Sequence, residues 1–278
     1  MSGSAQIYVS GVSEMGNVRE ENQDAIRFSG VDDATSEVGE YLFGIADGMG
    51  GFANGSIASN SALETFFETY EEMGKSFTKQ KMKVAIQNAN LRVYQEARRL
   101  AAGRMGTTLT CAHVSGSNMM IGHVGDTRLY LVRNETIRCL TNDHTRVAEL
   151  IRMNLLPPEK IRTHSQRSVL ERCLGTGLFV QPDIFSIKVF EDDILVLCSD
   201  GIWSVIEDDE LLRLTTQFKD HSVLTRKIVD RALELKSDDN VSCVVIHLQQ
   251  LQNNGEEDET KKNRIFSKLL RLVKKEEA

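Results

Sequence analysis

The sequence predicts an α+β fold in which antiparallel sheets carry helices on their outer faces. Three observations lead there. Strand-like segments arrive in blocks, helical stretches arrive in pairs, and the two never alternate as a doubly wound parallel sheet requires. With 278 residues, 41% hydrophobic and 26% charged, the chain can bury a substantial core.

Short apolar runs bounded by turn residues predict strands over Ile7–Gly11, Ala25–Ser29 and Tyr41–Ala46. Next, Ala58, Ala62, Phe66 and Tyr70 recur every fourth residue, with Leu63 and Phe67 widening the stripe, which predicts a helix. A second helix follows, with Met82, Ile86, Ala89, Val93 and Ala97 on one face and Thr78 as its N-cap. Four short strands then come in close order: Thr107–Val114, Met119–Val124, Arg128–Val132 and Thr136–Leu140. A polar, mostly helical insert is expected from Asp143 to about Gly177, punctuated by Pro157-Pro158. Ile184–Phe190 and Asp193–Cys198 form an expected hairpin turning at Glu191-Asp192. Two helices and a last strand, Val241–Leu248, complete one domain over residues 1–250.

Residues 251–278 differ in character. An acidic run, Glu256–Glu259, precedes a basic amphipathic stretch with Ile265, Phe266, Leu269, Leu270, Leu272 and Val273 on one side of a helix. Lys268, Arg271, Lys274 and Lys275 lie on or beside the other side. Such a tail helix docks on the protein's own surface or on a partner protein.

Basic residues number 33 against 40 acidic ones, a net charge of -7, and no basic stripe stands out, so nucleic acid is not expected as a partner. No apolar run reaches the length of a membrane span, and the start MSGSAQIYVSG is no signal peptide. The five cysteines are odd in number and scattered, four of them among apolar residues, which predicts free buried thiols. A cytoplasmic monomer is the expectation.

Five aspartates sit where strands begin or end: Asp24, Asp47, Asp126, Asp200 and Asp239. In antiparallel sheets the end of one strand lies beside the start of its neighbour, so distant aspartates can meet at one rim. Gathered carboxylates repel and hold their protons unless a cation neutralises them. Hard divalent ions, Mg²⁺ or Mn²⁺, suit oxygen ligands; the absence of Cys and His at these positions argues against zinc. Two such ions can activate a water and clamp a phosphoryl oxygen. The plain alternative is turn chemistry, since Asp-Gly at 47–48 and 200–201 and Asp-Asp-Asn at 238–240 are ordinary turn sequences.

Gly48-Met49-Gly50-Gly51-Phe52-Ala53 imitates a dinucleotide fingerprint, but Asp47 would stand beside the pyrophosphate and a second helix, not a strand, follows. Gly74-Lys75-Ser76 ends like a phosphate-binding loop whose first glycine is replaced by Thr69. No cysteine has the Cys-x5-Arg spacing of thiol phosphatases.

Five motifs in order carry a resemblance: Val18-Arg19-Glu20-Glu21-Asn22-Gln23-Asp24, Ala46-Asp47-Gly48-Met49-Gly50-Gly51, Gly122-His123-Val124-Gly125-Asp126-Thr127-Arg128, Leu197-Cys198-Ser199-Asp200-Gly201 and Ser237-Asp238-Asp239-Asn240. Together they resemble the PP2C (PPM) metal-dependent serine/threonine protein phosphatases over about residues 5 to 248, most closely the bacterial branch, in which the insert is a flap. The resemblance implies a four-layer αββα sandwich with a metal cluster at one end. It implies that Asp47 bridges two Mn²⁺ or Mg²⁺ ions, the Gly48 carbonyl binds the first, and Asp200 and Asp239 bind the second. Asp24 would hold metal-bound waters, Asp126 with Asp200 a weaker third ion, and Arg19 the phosphate; Arg128 is expected to be structural. The implied reaction is in-line attack of a metal-bridging hydroxide on a phosphoserine or phosphothreonine monoester of a protein substrate, without a phosphoenzyme. Many members carry a histidine at the position of Met49 or Phe52 to protonate the leaving group. This chain has neither, and His164 in the flap is the one substitute to consider, while His144 is expected to shape the flap. A phosphatase fold that binds without turnover is the competing reading, and the retained motif aspartates count against it.

Overall fold

Strand alternation sorts the side chains of β3 (Glu40–Gly50): Tyr41, Phe43 and Ile45 turn one way, Leu42 and Ala46 the other. The same sorting recurs in β10 (Asp193–Cys198) and β11 (Val241–Gln250), whose Leu195, Leu197, Val244 and Ile246 face Phe43 and Ile45 across the interior. These strands belong to a computed structural model that describes residues 6–30, 40–50, 54–101 and 105–251.

Along the chain, β1 (Gln6–Glu14), β2 (Asp24–Ser29) and β3 precede a helix pair, α1 (Asn54–Glu72) and α2 (Lys79–Arg99). Then come β4 (Met105–Thr107), β5 (Leu109–Ser115), β6 (Asn118–Val124), β7 (Arg128–Arg133) and β8 (Thr136–Cys139). After α3 (Arg146–Arg152) and a 3₁₀ turn at Pro158–Lys160 the chain runs through β9 (Asp183–Lys188), β10, the single turn α4 (Asp200–Trp203), α5 (Asp208–Gln217), α6 (His221–Glu234) and β11. One sheet has the order β1-β11-β10-β7-β8; the other has β2-β3-β5-β6-β9, with β4 paired to β3, and every pairing is antiparallel.

Three apolar clusters glue the layers. Between the sheets lies the Phe43–Ile45–Leu195–Leu197–Val244–Ile246 cluster. On the outer face of the second sheet, Ala58, Ala62, Phe66, Phe67 and Tyr70 of α1 and Met82, Ile86, Ala89 and Val93 of α2 cover Leu42, Ala46, Cys111 and Met120. On the outer face of the first, Ile202 and Trp203 of α4, Leu211 of α5 and Leu224, Ile228 and Val229 of α6 cover Tyr130, Val196 and Val245. This is the four-layer αββα sandwich. Thr78 caps α2 as expected, its side chain accepting from the Lys81 amide.

Two expectations are corrected. The segments around 184–198 form no hairpin: β9 pairs with β6 in one sheet, whereas β10 pairs with β7 and β11 in the other. The intervening turn, with Asp192 at φ 65°, carries the chain across the sandwich, and Arg133 holds it there through two bonds of 2.7 Å to the buried Asp193. A hairpin and a sheet switch have the same local signature, so only the pairing separates them. The flap is also less helical than expected, with only α3 and the 3₁₀ turn between Asp143 and Gly177. Its ends are fastened by the Thr145–Leu170 and Thr107–Leu174 bridges, and the stretch from Arg152 to Leu155 is exposed. The tail helix expected within 251–278 lies outside the described residues, apart from Leu251, which packs into the inter-sheet core. Cys111, Cys173, Cys198 and Cys243 are buried free thiols and Cys139 is half-buried.

Arg128 is structural, as expected. It is buried with Asp143, donating from Nε to Oδ1 at 3.0 Å and from Nη2 to Oδ2 at 2.7 Å, and lies over the Trp203 ring at 3.8 Å. The pair ties β7 to the first residue of the flap. Removing one partner strands a buried charge, so Arg128→Ala should cost about 3–5 kcal/mol in denaturant unfolding. Adding Asp143→Ala to it should cost less than the sum of the two single changes.

Candidate active site

β2 and β3 pair so that Asp24 stands opposite Asp47. Asp200 begins α4 directly after β10, and Asp239 directly precedes Asn240 and β11, which is paired with β10. Asp126 follows β6, where the Trp203 indole donates to its carbonyl at 2.8 Å. The fold thereby brings Arg19, Asp47, Gly48, Asp126, Asp200 and Asp239 to the wall of one cavity of about 210 Å³. Asp24 is buried behind it.

The electrostatics are severe. Burial raises the Asp24 carboxyl to about 6, with the Ser242 and Ser199 hydroxyls opposing the shift and Asp239 adding to it. Burial, then repulsion from Asp239 and Asp24, raises Asp200 to about 7. Asp47 and Asp126 also lie well above the usual carboxylate range, through burial first and repulsion from neighbouring aspartates second. Asp24 Oδ2 and Asp200 Oδ1 are buried without a hydrogen-bond partner. Arg19 is the one basic side chain among the described residues of the wall; its Nη2 donates to Asp239 Oδ2 at 2.6 Å and its Nε to the Asp238 carbonyl at 3.2 Å. It thus pairs with Asp239.

Such a wall, with carboxylate and carbonyl oxygens, one guanidinium, the orphaned Asp200 Oδ1 and, among its described residues, no thiol and no imidazole, is chemically suited to a hard divalent cation, and the orphaned Asp24 Oδ2 lies behind it. Among the described residues, no three carboxylate, imidazole or thiol groups close on a single point at ligation distance.

The two Asp-Gly pairs are not turn chemistry. Neither Gly48 nor Gly201 has positive φ. A Cβ on Gly48 would lie 2.0 Å from the Gly55 carbonyl oxygen in the first turn of α1, and one on Gly201 would lie 1.9 Å from the Asn240 carbonyl oxygen. Each glycine lets a second backbone segment press against the aspartate that precedes it.

Sequence reasoning missed several wall residues. Thr108 accepts from the Asp47 amide at 2.8 Å through Oγ1 and donates its own amide to the Asp47 carbonyl at 2.8 Å. Asn240 accepts from the Gln23 amide at 2.9 Å and donates to the Met15 and Glu21 carbonyls, both at 2.8 Å, fastening the Arg19 loop to the start of β11. Ser168 and Leu170 bring the flap to the cavity wall. A signal for Asn240 stood in the Asp-Asp-Asn motif; Thr108 had none beyond falling in the expected strand Thr107–Val114, and it lies between β4 and β5. His164 does not line the cavity, and its Nδ1 accepts from the Gln166 amide at 3.1 Å. Met49 does line it, and Phe52 lies outside the described residues. His144 shapes the flap as expected: its Nδ1 accepts from the Gly125 amide at 3.1 Å and its amide donates to the Gly125 carbonyl at 2.7 Å.

Comparison with known proteins gives the class. A family model described as Protein phosphatase 2C matches residues 8–157 and 175–241, leaving out a stretch inside the flap. The serine/threonine phosphatase stp of Listeria welshimeri is 30% identical over 214 residues, which are 75% of this chain and 84% of that protein. Among solved structures, serine/threonine phosphatase Stp1 from Staphylococcus aureus superposes with a TM-score of 0.80 at 27% identity, covering 90% of this chain and 98% of that one. The catalytic domain of serine/threonine protein phosphatase PstP, solved in complex with two manganese ions, superposes with a TM-score of 0.76 at 26% identity, covering 87% of this chain and 97% of that one. The chain belongs to the Protein phosphatase 2C family of serine/threonine phosphatases, on its bacterial branch, and it is an enzyme of that class.

Groups whose folded carboxyls hold protons more tightly than unfolded ones favour folding at low pH, and that contribution is lost as pH rises. For Asp24 and Asp200 the metal-free protein therefore loses stability between about pH 4 and pH 7. Asp200→Asn should raise the melting temperature of chelated protein by roughly 5 °C at pH 8 and change it little at pH 4.5. An equal shift at both pH values would mean that repulsion at this site does not govern stability.

Proposed function

We propose that the protein is a divalent-metal-dependent phosphatase of phosphoserine and phosphothreonine in proteins, acting by direct in-line hydrolysis. The observation that supports it most is the cavity wall of Asp47, Asp126, Asp200 and Asp239, with the orphaned Asp200 Oδ1, faced by one guanidinium. In this reading Asp47, the Gly48 carbonyl, Asp200 and Asp239 hold two Mn²⁺ or Mg²⁺ ions, and Asp126 with Asp200 holds a weaker third. When bound, such ions would acidify a coordinated water and offset charge on the phosphoryl oxygens.

The chain's own residues do the rest. Arg19 offers a two-pronged guanidinium to two phosphoryl oxygens after releasing Asp239, an exposed pair that is weakly held. Asp24, behind Asp47, accepts hydrogen bonds from waters of the site and keeps them oriented. Thr107 and Thr108 hold the Asp47 backbone on both sides, so the carboxylate cannot swing with its strand. No imidazole lines the cavity among the described residues, so the leaving alkoxide takes its proton from water. Ser168 and Leu170 put the flap where the polypeptide around the phosphoresidue must pass, which makes the flap the element that selects among protein substrates.

Asp47→Asn and Asp239→Asn should each lower kcat by about three orders of magnitude on a phosphothreonine peptide while the fold is retained by circular dichroism. Saturating Mn²⁺ should raise the melting temperature of wild type by about 5–10 °C and that of Asp47→Asn by far less. Full activity in chelator would refute the metal reading.

His164→Ala should keep kcat within about twofold and leave the pH–rate profile unmoved; loss of a basic limb would restore His164 as the leaving-group acid.

A further inference from the structure

The same two elements that meet at the active site also frame a second cavity at their other ends. β3 ends beside the first turn of α1, where Gly48 abuts Gly55; β3 begins at Glu40, and α1 runs out to Tyr70 and Glu71. Between those far ends, closed by Gly74, Lys75 and Lys81 from the α1–α2 connection and the start of α2, lies a cavity of about 330 Å³. That is within the range of small-molecule sites, roughly 300–1,000 Å³.

Its polar groups are built in, not draped on the surface. Lys81 is 3% exposed and His113 2% exposed. The Lys81 ammonium donates to the Gly74 carbonyl and sits 3.9 Å above the Tyr70 ring, which leaves N–H groups of its three without an oxygen acceptor among the described residues. His113 Nδ1 bonds the Tyr70 hydroxyl at 2.8 Å. With the phenol donating, the ring's other proton is on Nε2, directed toward Glu40 at 4.0 Å. That separation is too long for a hydrogen bond, and a polar atom beside the pair could reach both at ordinary hydrogen-bond length. Burial first, then the Lys81 charge, lowers His113 to about 4, so the ring is a neutral donor at pH 7. Among the described residues of its wall, Lys75 and Lys81 balance Glu40 and Glu71, and Leu42 and Tyr70 supply apolar surface.

A simple anion would meet the two glutamates, and a simple cation the two lysines. A ligand that carries both charges on adjacent atoms, beside an apolar group, satisfies both sets. We propose that this cavity binds a free α-amino acid with an apolar side chain: carboxylate on Lys81 and His113, ammonium on Glu40, side chain against Leu42 and Tyr70.

The test is titration of the full chain with L-phenylalanine, followed by amide shifts in ¹H–¹⁵N spectra. Leu42, Tyr70 and Gly74 should shift saturably with a dissociation constant of roughly 1 mM, as expected for so small a ligand. Lys81→Met and Glu40→Gln should each weaken binding about tenfold, because each removes a charge-assisted contact. 3-Phenylpropionate and phenethylamine, which lack one charge each, should be weaker by a similar factor. No saturable shift at these amides, unchanged affinity in both variants, or 3-phenylpropionate binding as tightly as L-phenylalanine would each overturn the proposal. Should Lys81→Met fail to fold, the half-exposed Glu40 still decides the outcome alone. The readout is binding and not phosphate release, so it stands or falls apart from the phosphatase reading.

Discussion

Repulsion among buried carboxylates is the constraint around which one end of this molecule is organised. Asp24, Asp47, Asp126 and Asp200 are all pushed toward their protonated forms, and Arg19 is the single basic group among the described residues of the cavity wall. Such an arrangement destabilises the folded state at neutral pH, so something else must hold the end of the sandwich closed. Three apolar clusters spanning all four layers do so. Clamps on the backbone then fix two of the aspartates, Thr107 and Thr108 on Asp47 and Trp203 on the Asp126 carbonyl, and Asn240 fastens the loop that carries Arg19.

The two glycines after Asp47 and Asp200 show how little freedom those clamps leave. At both, another carbonyl oxygen occupies the space of a side chain, α1 at one and the start of β11 at the other. The aspartates are thereby positioned by elements far apart in sequence. Close approach of backbones, and not left-handed conformation, explains why glycine stands there.

How legible this was differs by level. The layers were readable because apolar periodicity survives in a single sequence: the α1 stripe Ala58–Ala62–Phe66–Tyr70 is buried along its length. The five aspartates were readable as strand-end residues, and four reach the cavity wall while Asp24 lies just behind it. Pairing between distant strands was not readable. β9 and β10 look like a hairpin locally, yet their partners, β6 and β7, lie in different sheets, and partner choice is a non-local property. The flap misled for a related reason: its polar, helix-compatible residues lack an apolar face to bury, and between its fastened ends the chain forms one short helix and a 3₁₀ turn. Thr108 could not have been singled out, since its role is to bond the backbone of Asp47, and backbone contacts leave no residue pattern.

Arg19 links the charge problem to the proposed chemistry. Its guanidinium is half-exposed and bound to an aspartate that the proposed cations would also require. An exposed ion pair of this kind contributes little stability, so its exchange for another partner is nearly free in energy. In the proposed reading a cation would compete with the guanidinium for the Asp239 carboxylate, while a phosphoryl group would offer Arg19 a bidentate alternative. The buried Arg128–Asp143 pair is the opposite case. Enclosed and bidentate, with Trp203 stacked upon it, it serves to hold the flap's first residue against β7. Two arginine–aspartate pairs of similar length thus do different work, and burial is what separates them.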